Sequence, residues 1–377
     1  MKITKVRVFE LIGTELGSEA LFEVDHPYLG KTSDKNRCYR QFFTEIETDQ
    51  GLSGLSPGGS WDVKKMGELL IGENPLKMEY LWERLYTAKY VRFQSTQSIA
   101  VLDLALWDLA GKFRNEPVYQ MLGGPFRDRV PAYAAMLGFS TEPAKAAARS
   151  MEWVKKGFKM LKWYLPYNET QGLEGFKQNV EIVKAIREAV GDDVEIILDF
   201  GVSGPDKNSL LYMIRFAQAI EPYNIKWLEE PLNFDDVDAY VRLSKSTRIP
   251  LACGERLYTR WQINEFVASG AVNVIQPDPY FAMGLTEVRK IISMASVYGL
   301  SVIPHANESC IHSAHLIFAN PERICPMAEF GIKLNHNFQH FYKDFYMPGD
   351  GYFELPKGPG FGYEIDWDKV LQKNELE

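Results

Sequence analysis

Four short apolar segments between residues 227 and 305 each end in one ionisable side chain, and this pattern constrains the fold more than any other feature of the sequence. They are WLE at 227–229, LACGE at 251–255, VIQPD at 274–278 and SVIPH at 301–305, ending in Glu229, Glu255, Asp278 and His305. Stretches of helical length separate them. Buried parallel strands are continuous apolar runs, and their alternation with helices builds a parallel sheet. Because the carboxyl ends of such strands meet at one face, we expect these four side chains to be neighbours in space.

The same strand–helix alternation extends over residues 128–335. Further apolar runs lead to Lys162, Asp199 and Glu329, so seven ionisable residues follow one another at intervals of 23 to 37 residues. Helices are predicted between them at 143–156, 174–190, 210–220, 236–245, 260–269 and 285–298. An even period of such units favours a closed barrel over an open, doubly wound sheet. No Gly-x-Gly-x-x-Gly follows a predicted strand, which argues against a dinucleotide-binding fold. We therefore predict an α/β protein built on a TIM barrel.

The segments that flank the barrel are predicted to form a smaller α+β capping domain. A barrel of this kind takes about 250 residues, and the chain has 377. Residues 1–127 contain predicted strands at 3–11 and 41–49 and an amphipathic helix around 99–109. The tail at 336–377 is rich in Gly, Pro and aromatic residues, and we expect it to pack back on the capping domain.

A long polar segment at about 13–37 separates the first two predicted strands. Connections of this length without a pattern of their own are often functional lids. The polar side chains in it that we expect to contact a ligand are His26, Tyr28, Lys31 and Arg37.

Composition and charge narrow the class of partner. The net charge of −8 argues against nucleic acid, because binding phosphates requires clustered Lys and Arg. The sequence lacks an apolar run long enough to span a membrane, and charges interrupt its first ten residues, unlike a signal peptide. The four cysteines, at 38, 253, 310 and 325, lie far apart. This fits reduced thiols in the cytoplasm better than a disulfide framework or a zinc site.

Three consecutive predicted strands each end in a carboxylate, from Asp199, Glu229 and Glu255. Converging carboxylates repel one another and need a compensating cation to stay ionised. Oxygen ligands that leave room for water and substrate suit Mg²⁺. The alternative is that each acid caps the helix after it, where negative charge is also favourable. Three such acids in consecutive units favour the metal site.

The next two strands end in Asp278 and His305, a candidate acid–base pair. A carboxylate bonded to one imidazole nitrogen fixes the tautomer and raises the basicity of the other. The alternative is a buried histidine bonded to a backbone carbonyl. Lys162 would stabilise negative charge from the second strand, or would be a solvated lysine at a strand end. Glu329 would donate a proton if burial raised its pKa, or would cap a helix.

The order of these residues resembles the enolase superfamily, in its mandelate racemase subgroup. The motifs that carry the resemblance are Lys on the second strand, Asp on the third, WLEEP, CGE, QPD and PH, with ALWDLAGK at 105–112 in the capping domain. Within the subgroup, residues 251–260, 275–278 and 326–330 are most similar to rhamnonate dehydratases and related acid-sugar dehydratases. The fold that the resemblance implies is a (β/α)7β-type TIM barrel, in a homo-oligomer that is often an octamer. The roles that it implies are Asp199, Glu229 and Glu255 as ligands of one Mg²⁺ per subunit, His305 and Asp278 as a dyad, and Glu329 as an electrophilic or hydrogen-bonding acid.

Three positions depart from the pattern of the subgroup. Tyr164 stands where many members have a second lysine, which weakens the expectation of two-base racemisation. Arg256 follows the fifth-strand glutamate, where rhamnonate dehydratases have histidine, and residues 306–309 read ANES in place of small residues. Because of the last two differences, the resemblance does not identify L-rhamnonate as the substrate.

The function that we expect is the Mg²⁺-dependent dehydration of a sugar acid to a 2-keto-3-deoxy acid through an enediolate. His305 would remove the α-proton or help the β-hydroxyl to leave, and Lys162 is the other candidate base. Arg256 and the polar lid residues would bind substrate, and Tyr164 lies among the catalytic candidates. The alternatives are an epimerase, racemase or cycloisomerase that uses the same intermediate, and a catalytically silent paralogue retained for binding.

Overall fold

The N-terminal part of the chain forms an antiparallel sheet. The computed structural model describes residues 1–17, 22–23, 37–92, 95–201, 208–306 and 310–376. Strands β1 (Ile3–Glu15), β2 (Cys38–Thr48) and β3 (Ser53–Pro57) pair in sequence order. β1 is longer than predicted, because Ile12 still pairs with Arg40 and Glu15 with Cys38. Residues 13–15 therefore belong to a strand and not to the predicted lid.

Four helices follow this sheet, and the third carries two buried carboxylates. They are α1 (Trp61–Gly67), α2 (Met78–Arg92), α3 (Thr96–Arg114) and α4 (Val118–Met121). Helix α3 begins where the Ser95 hydroxyl accepts a hydrogen bond from the backbone N–H of Ser98 at 3.2 Å. Its Asp108 accepts from Leu55 N at 2.8 Å, and its Asp103 accepts from the Thr286 hydroxyl at 2.6 Å. The helix therefore joins the antiparallel sheet to a helix of the barrel.

Eight parallel strands form the predicted barrel. They are β4 (Arg129–Ala135), β5 (Met160–Tyr164), β6 (Glu195–Asp199), β7 (Ile225–Glu229), β8 (Leu251–Cys253), β9 (Val274–Ile275), β10 (Ser301–Val302) and β11 (Ala328–Gly331). Each strand from β4 to β9 pairs with the strand that follows it in the chain, and β11 pairs with β4. On the remaining side, Val302 N donates to Ile324 O at 2.7 Å, just before β11. The prediction of an α/β barrel with a capping domain is confirmed.

The strands β8, β9 and β10 are shorter than the sequence pattern predicts. Asp278 and His305 each lie three residues beyond a strand, and Glu255 lies two residues beyond β8. Pro277 and Pro304 precede the first two, and proline has no N–H to donate to a neighbouring strand. Gly254 precedes Glu255 with a φ of +133°, a conformation outside the strand region. Three of the candidate site residues therefore sit on loops at the strand ends.

One large interior cluster fills the barrel beneath these loops. Its eight buried members come one from each strand or its immediate extension: Tyr133, Met160, Ile197, Trp227, Ala252, Val274, Ile303 and Met327. The rings of Tyr133 and Trp227 meet edge to face with centroids 5.9 Å apart. The interior of the barrel is therefore a packed core. The candidate site residues lie above it, at the carboxyl ends of the strands.

The barrel helices lie close to their predicted positions. They are α5 (Pro143–Lys155), α6 (Gly172–Val190), α7 (Leu210–Ile220), α8 (Val237–Ser244), α9 (Arg260–Ser269), α10 (Leu285–Val297), α11 (Cys310–Phe318) and α12 (Ile332–Phe338). The predicted bounds of α7 and α9 match residue for residue. Within the described ranges, no helix combines the length and apolar character needed to cross a membrane. All four cysteines are unpaired thiols.

The C-terminal tail contacts both parts of the molecule. Strand β12 (Tyr352–Glu354) pairs antiparallel with β4 of the barrel, and β13 (Gln372–Glu375) pairs antiparallel with β1. Phe361 N also donates to the Asp108 carboxylate at 3.1 Å, and the Tyr363 hydroxyl donates to Leu55 O at 2.6 Å. The division of the chain into domains at about residues 127 and 335 stays a prediction.

Arg187 on α6 fixes the lower ends of the two strands that carry Asp199 and Glu229. Its buried guanidinium donates to Gly191 O at 2.5 Å and to Val194 O at 2.7 Å, just before β6. It also donates to Tyr223 O at 2.9 Å and to Asn224 O at 3.1 Å, just before β7. One side chain thus donates hydrogen bonds to four carbonyl groups. These hydrogen bonds are stronger than neutral ones, because the guanidinium is charged.

Replacing Arg187 with methionine is expected to lower the free energy of unfolding by about 3 kcal/mol, because it removes a charged donor from four backbone carbonyl groups, of which that of Val194 is buried. Urea titration followed by circular dichroism measures the change. The control is Lys184→Met, one turn earlier on α6, where the side chain is 42% exposed and its ammonium lies 3.9 Å from Glu181, so the expected change is below about 0.5 kcal/mol. Equal stabilities of the two variants would contradict the role given to Arg187.

Candidate active site

Two of the predicted metal-binding acids are paired across neighbouring strands. Asp199 ends β6 and Glu229 ends β7, and the two residues are direct partners in the register of the sheet. Both side chains are buried. Gly201 N donates to one Asp199 oxygen at 2.6 Å. Glu255 follows on the loop after β8, so the three acids occupy successive positions around the barrel mouth.

The ammonium group of Lys162 lies among three carboxylates. Its Nζ is 2.7 Å from Glu229 Oε1, 2.6 Å from Glu329 Oε1 and 3.2 Å from Asp199 Oδ2, and the side chain is 0% exposed. Burial opposes its charge, but Glu229 and Glu329 together raise the pKa of Lys162 well above its usual value. Lys162 is therefore a fixed cation at the centre of the site, and it is not solvated.

Two further side chains that we did not single out from the sequence hold Glu229 in place. Gln276 Nε2 donates to Glu229 Oε2 at 2.8 Å, and Trp227 Nε1 donates to the same oxygen at 3.2 Å. Both belong to apolar runs that predict strands, and a single polar side chain inside such a run is the signal that could have identified Gln276. Each oxygen of Glu229 thus has a partner on a different strand.

His305 and Asp278 form the predicted pair. The imidazole Nδ1 lies 2.7 Å from Asp278 Oδ2, while Asp278 Oδ1 accepts from Tyr280 N at 2.7 Å. The other ring nitrogen, Nε2, is 3.7 Å from Glu255 and 3.6 Å from Glu329. Burial opposes the charged ring, but the carboxylates of Glu255, Glu329 and Asp278 raise the pKa of His305 well above its usual value. The imidazole is held on one side and faces the site with the other.

Glu329 lies between the two candidate proton-transfer groups. One of its oxygens binds Lys162, and the other accepts from Ala306 N at 3.1 Å and lies near His305. Burial raises its pKa, but Lys162 and His305 outweigh that effect and hold the pKa below its usual value. In this arrangement Glu329 is ionised and accepts hydrogen bonds. It does not have the raised pKa that a protonated hydrogen-bond donor would require.

Tyr164 borders a small cavity at the barrel mouth together with His305 and Glu329. Burial raises the pKa of Tyr164 well above its usual value, and nearby carboxylates add to this effect. Its phenol is therefore neutral near neutral pH. The Lys162 ammonium lies 5.4 Å from the centre of its ring, so Tyr164 packs against the cation that stands beside the acids.

Arg256 lies at the same end of the barrel but contacts acids that border the site. Its guanidinium is 2.7 Å from Glu230 and 3.9 Å from Glu255. Glu230 is buried and has a φ of +43°, unusual for a residue with a side chain. Arg256 thus connects two neighbouring carboxylates, and substrate binding by it stays a prediction.

The predicted lid residues His26, Tyr28 and Lys31 lie outside the described residues. Arg37 is exposed, and its carbonyl accepts from Leu16 N at 2.7 Å. Glu23 is described and contacts the loop after β4. Its N–H donates to Gly138 O at 2.6 Å, and its carboxylate binds Arg149 at 2.8 Å. The capping segment therefore reaches the barrel mouth at that loop.

The donor set at the barrel mouth fits a hard divalent cation. The three predicted ligands offer only carboxylate oxygens, the donors that Mg²⁺ prefers. Burial raises the pKa of Glu229 to about 8, and the charges of Asp199 and Glu329 add to this effect. Lys162 therefore does not fully compensate the negative charge. Among the described residues, no group of three acid, histidine or cysteine side chains is already arranged to hold a metal ion, and the Lys162 ammonium contacts both Asp199 and Glu229.

Family models match the two parts of the chain separately. The model described as "Enolase C-terminal domain-like" matches residues 144–369. The model described as "Mandelate racemase / muconate lactonizing enzyme, N-terminal domain" matches residues 40–123. Together the two models match most of the chain, including the antiparallel N-terminal part and the barrel.

Individual relatives agree with the family models. A D-galactonate dehydratase of Klebsiella pneumoniae (strain 342) is 34% identical over 357 residues, which cover 88% of this chain and 91% of that protein. A D-galactonate dehydratase of Pectobacterium atrosepticum is 32% identical over 363 residues, with 89% and 91% covered. Among solved structures, the 3,6-anhydro-D-galactonate cycloisomerase of Zobellia galactanivorans has a TM-score of 0.80 at 26% identity, with 98% of each chain covered.

The fold and the site define an enzyme of the enolase type, with a capped barrel and acids at its strand ends. The chain belongs to the mandelate racemase subgroup of the enolase superfamily, where it groups with acid-sugar dehydratases. The resemblance noted from the motifs is confirmed.

Proposed function

We propose that this enzyme is a Mg²⁺-dependent hydro-lyase that converts an aldonate into a 2-keto-3-deoxy acid through an enediolate. The observation that carries the proposal is the position of Glu329, whose two oxygens lie 2.6 Å from Lys162 Nζ and 3.6 Å from His305 Nε2. One buried carboxylate thus joins a fixed cation to an oriented imidazole beside the acids at the strand ends. The names of the relatives support a sugar acid as substrate.

The chemical difficulty is the weak acidity of a proton α to a carboxylate. Its removal places a second negative charge on the substrate, so the site must supply positive charge where that charge develops. Asp199, Glu229 and Glu255 would hold Mg²⁺, which supplies a Lewis acid for the substrate carboxylate when it is bound. Lys162 remains protonated among its carboxylates and stabilises the enediolate as a fixed charge.

His305 is the acid–base group that this arrangement favours. Asp278 holds its Nδ1, so Nε2 is the nitrogen available to the substrate. In its neutral form, His305 would accept the α-proton from C2. In its protonated form, it would give a proton to the departing β-hydroxyl, which leaves as water. If His305 does both, the elimination is syn, and the enol product then tautomerises to the keto acid.

Two alternatives use the same site differently. An epimerase or racemase would return the proton to C2, and a cycloisomerase would close or open a ring without loss of water. Likeness to the cycloisomerase of Zobellia galactanivorans keeps the second option open. A silent paralogue would bind a sugar acid without turnover, but the retained acids and the His305–Asp278 pair argue against it.

The test is a panel of aldonic and aldaric acids that includes D-galactonate and L-rhamnonate, incubated with enzyme and Mg²⁺. We expect a 2-keto acid from at least one member of the panel, detected as its semicarbazone. In heavy water the product should carry one solvent deuteron at C3. Deuterium at C2 without loss of water would identify an epimerase, and no reaction with any member would overturn the proposal.

Two further properties complete the proposal. We propose that the enzyme is a homo-oligomer, such as the octamer that the resemblance implies, and that it is located in the cytoplasm. The subgroup that the chain belongs to supports the homo-oligomer. The four unpaired thiols support the cytoplasmic location. Sedimentation velocity tests the first of these, because a monomer at micromolar concentration would contradict it.

A further inference from the structure

A second lysine lies at the active-site cavity and has no role in the chemistry described so far. Lys333 is the second residue of α12, four residues after Glu329. It is 4% exposed and borders the same cavity as His305, Glu329 and Tyr164. Its position places a cation on the side of the cavity that lies beside β11.

Three apolar residues line the same cavity as Lys333. Leu137, Ile332 and Leu334 border the cavity beside it. Its Nζ lies 4.6 Å from the centre of the Phe139 ring, a distance at which the ring face attracts a cation. These walls suit the carbon chain of a substrate, while the ammonium offers hydrogen-bond donors and no acceptor.

The loop that carries Leu137 and Phe139 is also where the capping segment meets the barrel. Glu23 binds this loop through Gly138 O at 2.6 Å and through Ser140 N at 3.2 Å. The acids of the predicted metal site lie at the ends of β6 and β7 and on the loop after β8, whereas Lys333 and the loop of Leu137 and Phe139 follow β11 and β4. A sugar acid with its carboxylate at the acids and its α-carbon at His305 would extend its far end towards Lys333.

We propose that Lys333 is a specificity-determining residue that binds an oxygen on the terminal carbon of the substrate, the end remote from the reacting carboxylate. The inference rests on the proposed function. The oxygen is the terminal hydroxyl of an aldonate or the second carboxylate of an aldarate, since both accept a hydrogen bond from an ammonium group. A site built to bind such an oxygen discriminates strongly against analogues that lack it.

The test compares four substrates of one configuration: D-galactonate, its 6-deoxy analogue D-fuconate, the shorter L-arabinonate, and the diacid galactarate. The wild-type kcat/KM should be highest for galactonate or galactarate, and the preferred one identifies the terminal oxygen. Lys333→Met should lower kcat/KM for that acid by roughly 10- to 100-fold. It should change the values for D-fuconate and L-arabinonate by less than about threefold, so the discrimination disappears.

Two controls separate specificity from damage to the fold. Lys333→Arg should restore part of the discrimination, because it keeps a cationic donor. Lys343→Met, at an exposed lysine paired with Glu364, should leave all four values unchanged. An equal loss on all four substrates in Lys333→Met, or no loss on any, would overturn the inference.

Binding measurements distinguish failure of this inference from failure of the proposed function. If the wild-type enzyme turns over none of the four acids, the proposed dehydration of the galacto series is wrong. Calorimetric titration of the same acids in the presence of Mg²⁺ then tests Lys333 directly. A tighter affinity for D-galactonate than for D-fuconate that is lost in Lys333→Met supports the inference, and an unchanged ratio of affinities refutes it.

Discussion

Replacing His305 with asparagine is expected to reduce kcat/KM for dehydration by at least about 100-fold, the lower range of general acid–base catalysis. The imidazole is the group at the cavity that Asp278 orients at 2.7 Å, and asparagine keeps its approximate size without a titratable nitrogen. Lys162 is a poorer candidate, because its ammonium is bound by three carboxylates at 2.6 to 3.2 Å, whereas His305 borders the cavity. The measurement is the steady-state formation of the 2-keto acid.

Two variants bracket this result. Asp278→Asn should also lower kcat strongly, because His305 loses the carboxylate that fixes its tautomer. Tyr164→Phe should retain much of the activity, since a neutral buried phenol is a poor base. A His305→Asn enzyme as active as the wild type would refute the assignment. So would an inactive Tyr164→Phe enzyme with unchanged melting temperature, which would make Tyr164 the essential group.

Chelation is expected to abolish activity, and Mg²⁺ to restore it, because Asp199, Glu229 and Glu255 carry more negative charge than the Lys162 ammonium beside the first two compensates. Glu229→Gln should weaken Mg²⁺ binding, measured by calorimetry, by at least about tenfold, since an amide is a neutral ligand in place of a charged one. Mg²⁺ should also raise the melting temperature of the wild type, because a ligand that binds the folded state stabilises it.

The matched control for the metal site is Glu195→Gln. Glu195 lies on β6 with Asp199 but at the opposite end of the strand, where it is exposed and paired with Lys226. Its substitution should change neither the affinity for Mg²⁺ nor the activity. Full activity in excess chelator, or equal Mg²⁺ affinities in the wild type and Glu229→Gln, would show that these acids serve another purpose.

Local pattern was enough to predict the architecture. The apolar runs that lead to Asp199 and Glu229 are strands because their residues are buried on both faces, and this leaves a signature in the sequence itself. The helices α7 and α9 match their predicted bounds because Ser209 and Thr259 cap them with side-chain hydrogen bonds. These features depend on neighbours a few residues away, so the sequence alone reveals them.

The order of the strands in a barrel also follows from sequence. Parallel strands joined by helices place their carboxyl ends together, so the convergence of Lys162, Asp199 and Glu229 could be predicted without coordinates. What could not be predicted is how far each strand continues. Strands β9 and β10 end at Ile275 and Val302, and Pro277 and Pro304 follow without an N–H to extend the ladder, so Asp278 and His305 lie on loops.

The tertiary structure alone decided which side chains are partners. It placed Lys162 among three carboxylates, gave Glu229 the donors Gln276 and Trp227, and brought Lys333 to the cavity. Gln276 is 47 positions away from Glu229 in the sequence, and Lys162 is 67 positions away from it. Ionic and hydrogen-bonding energies depend on distances of a few ångströms between atoms on different strands, and no periodicity along the chain encodes them.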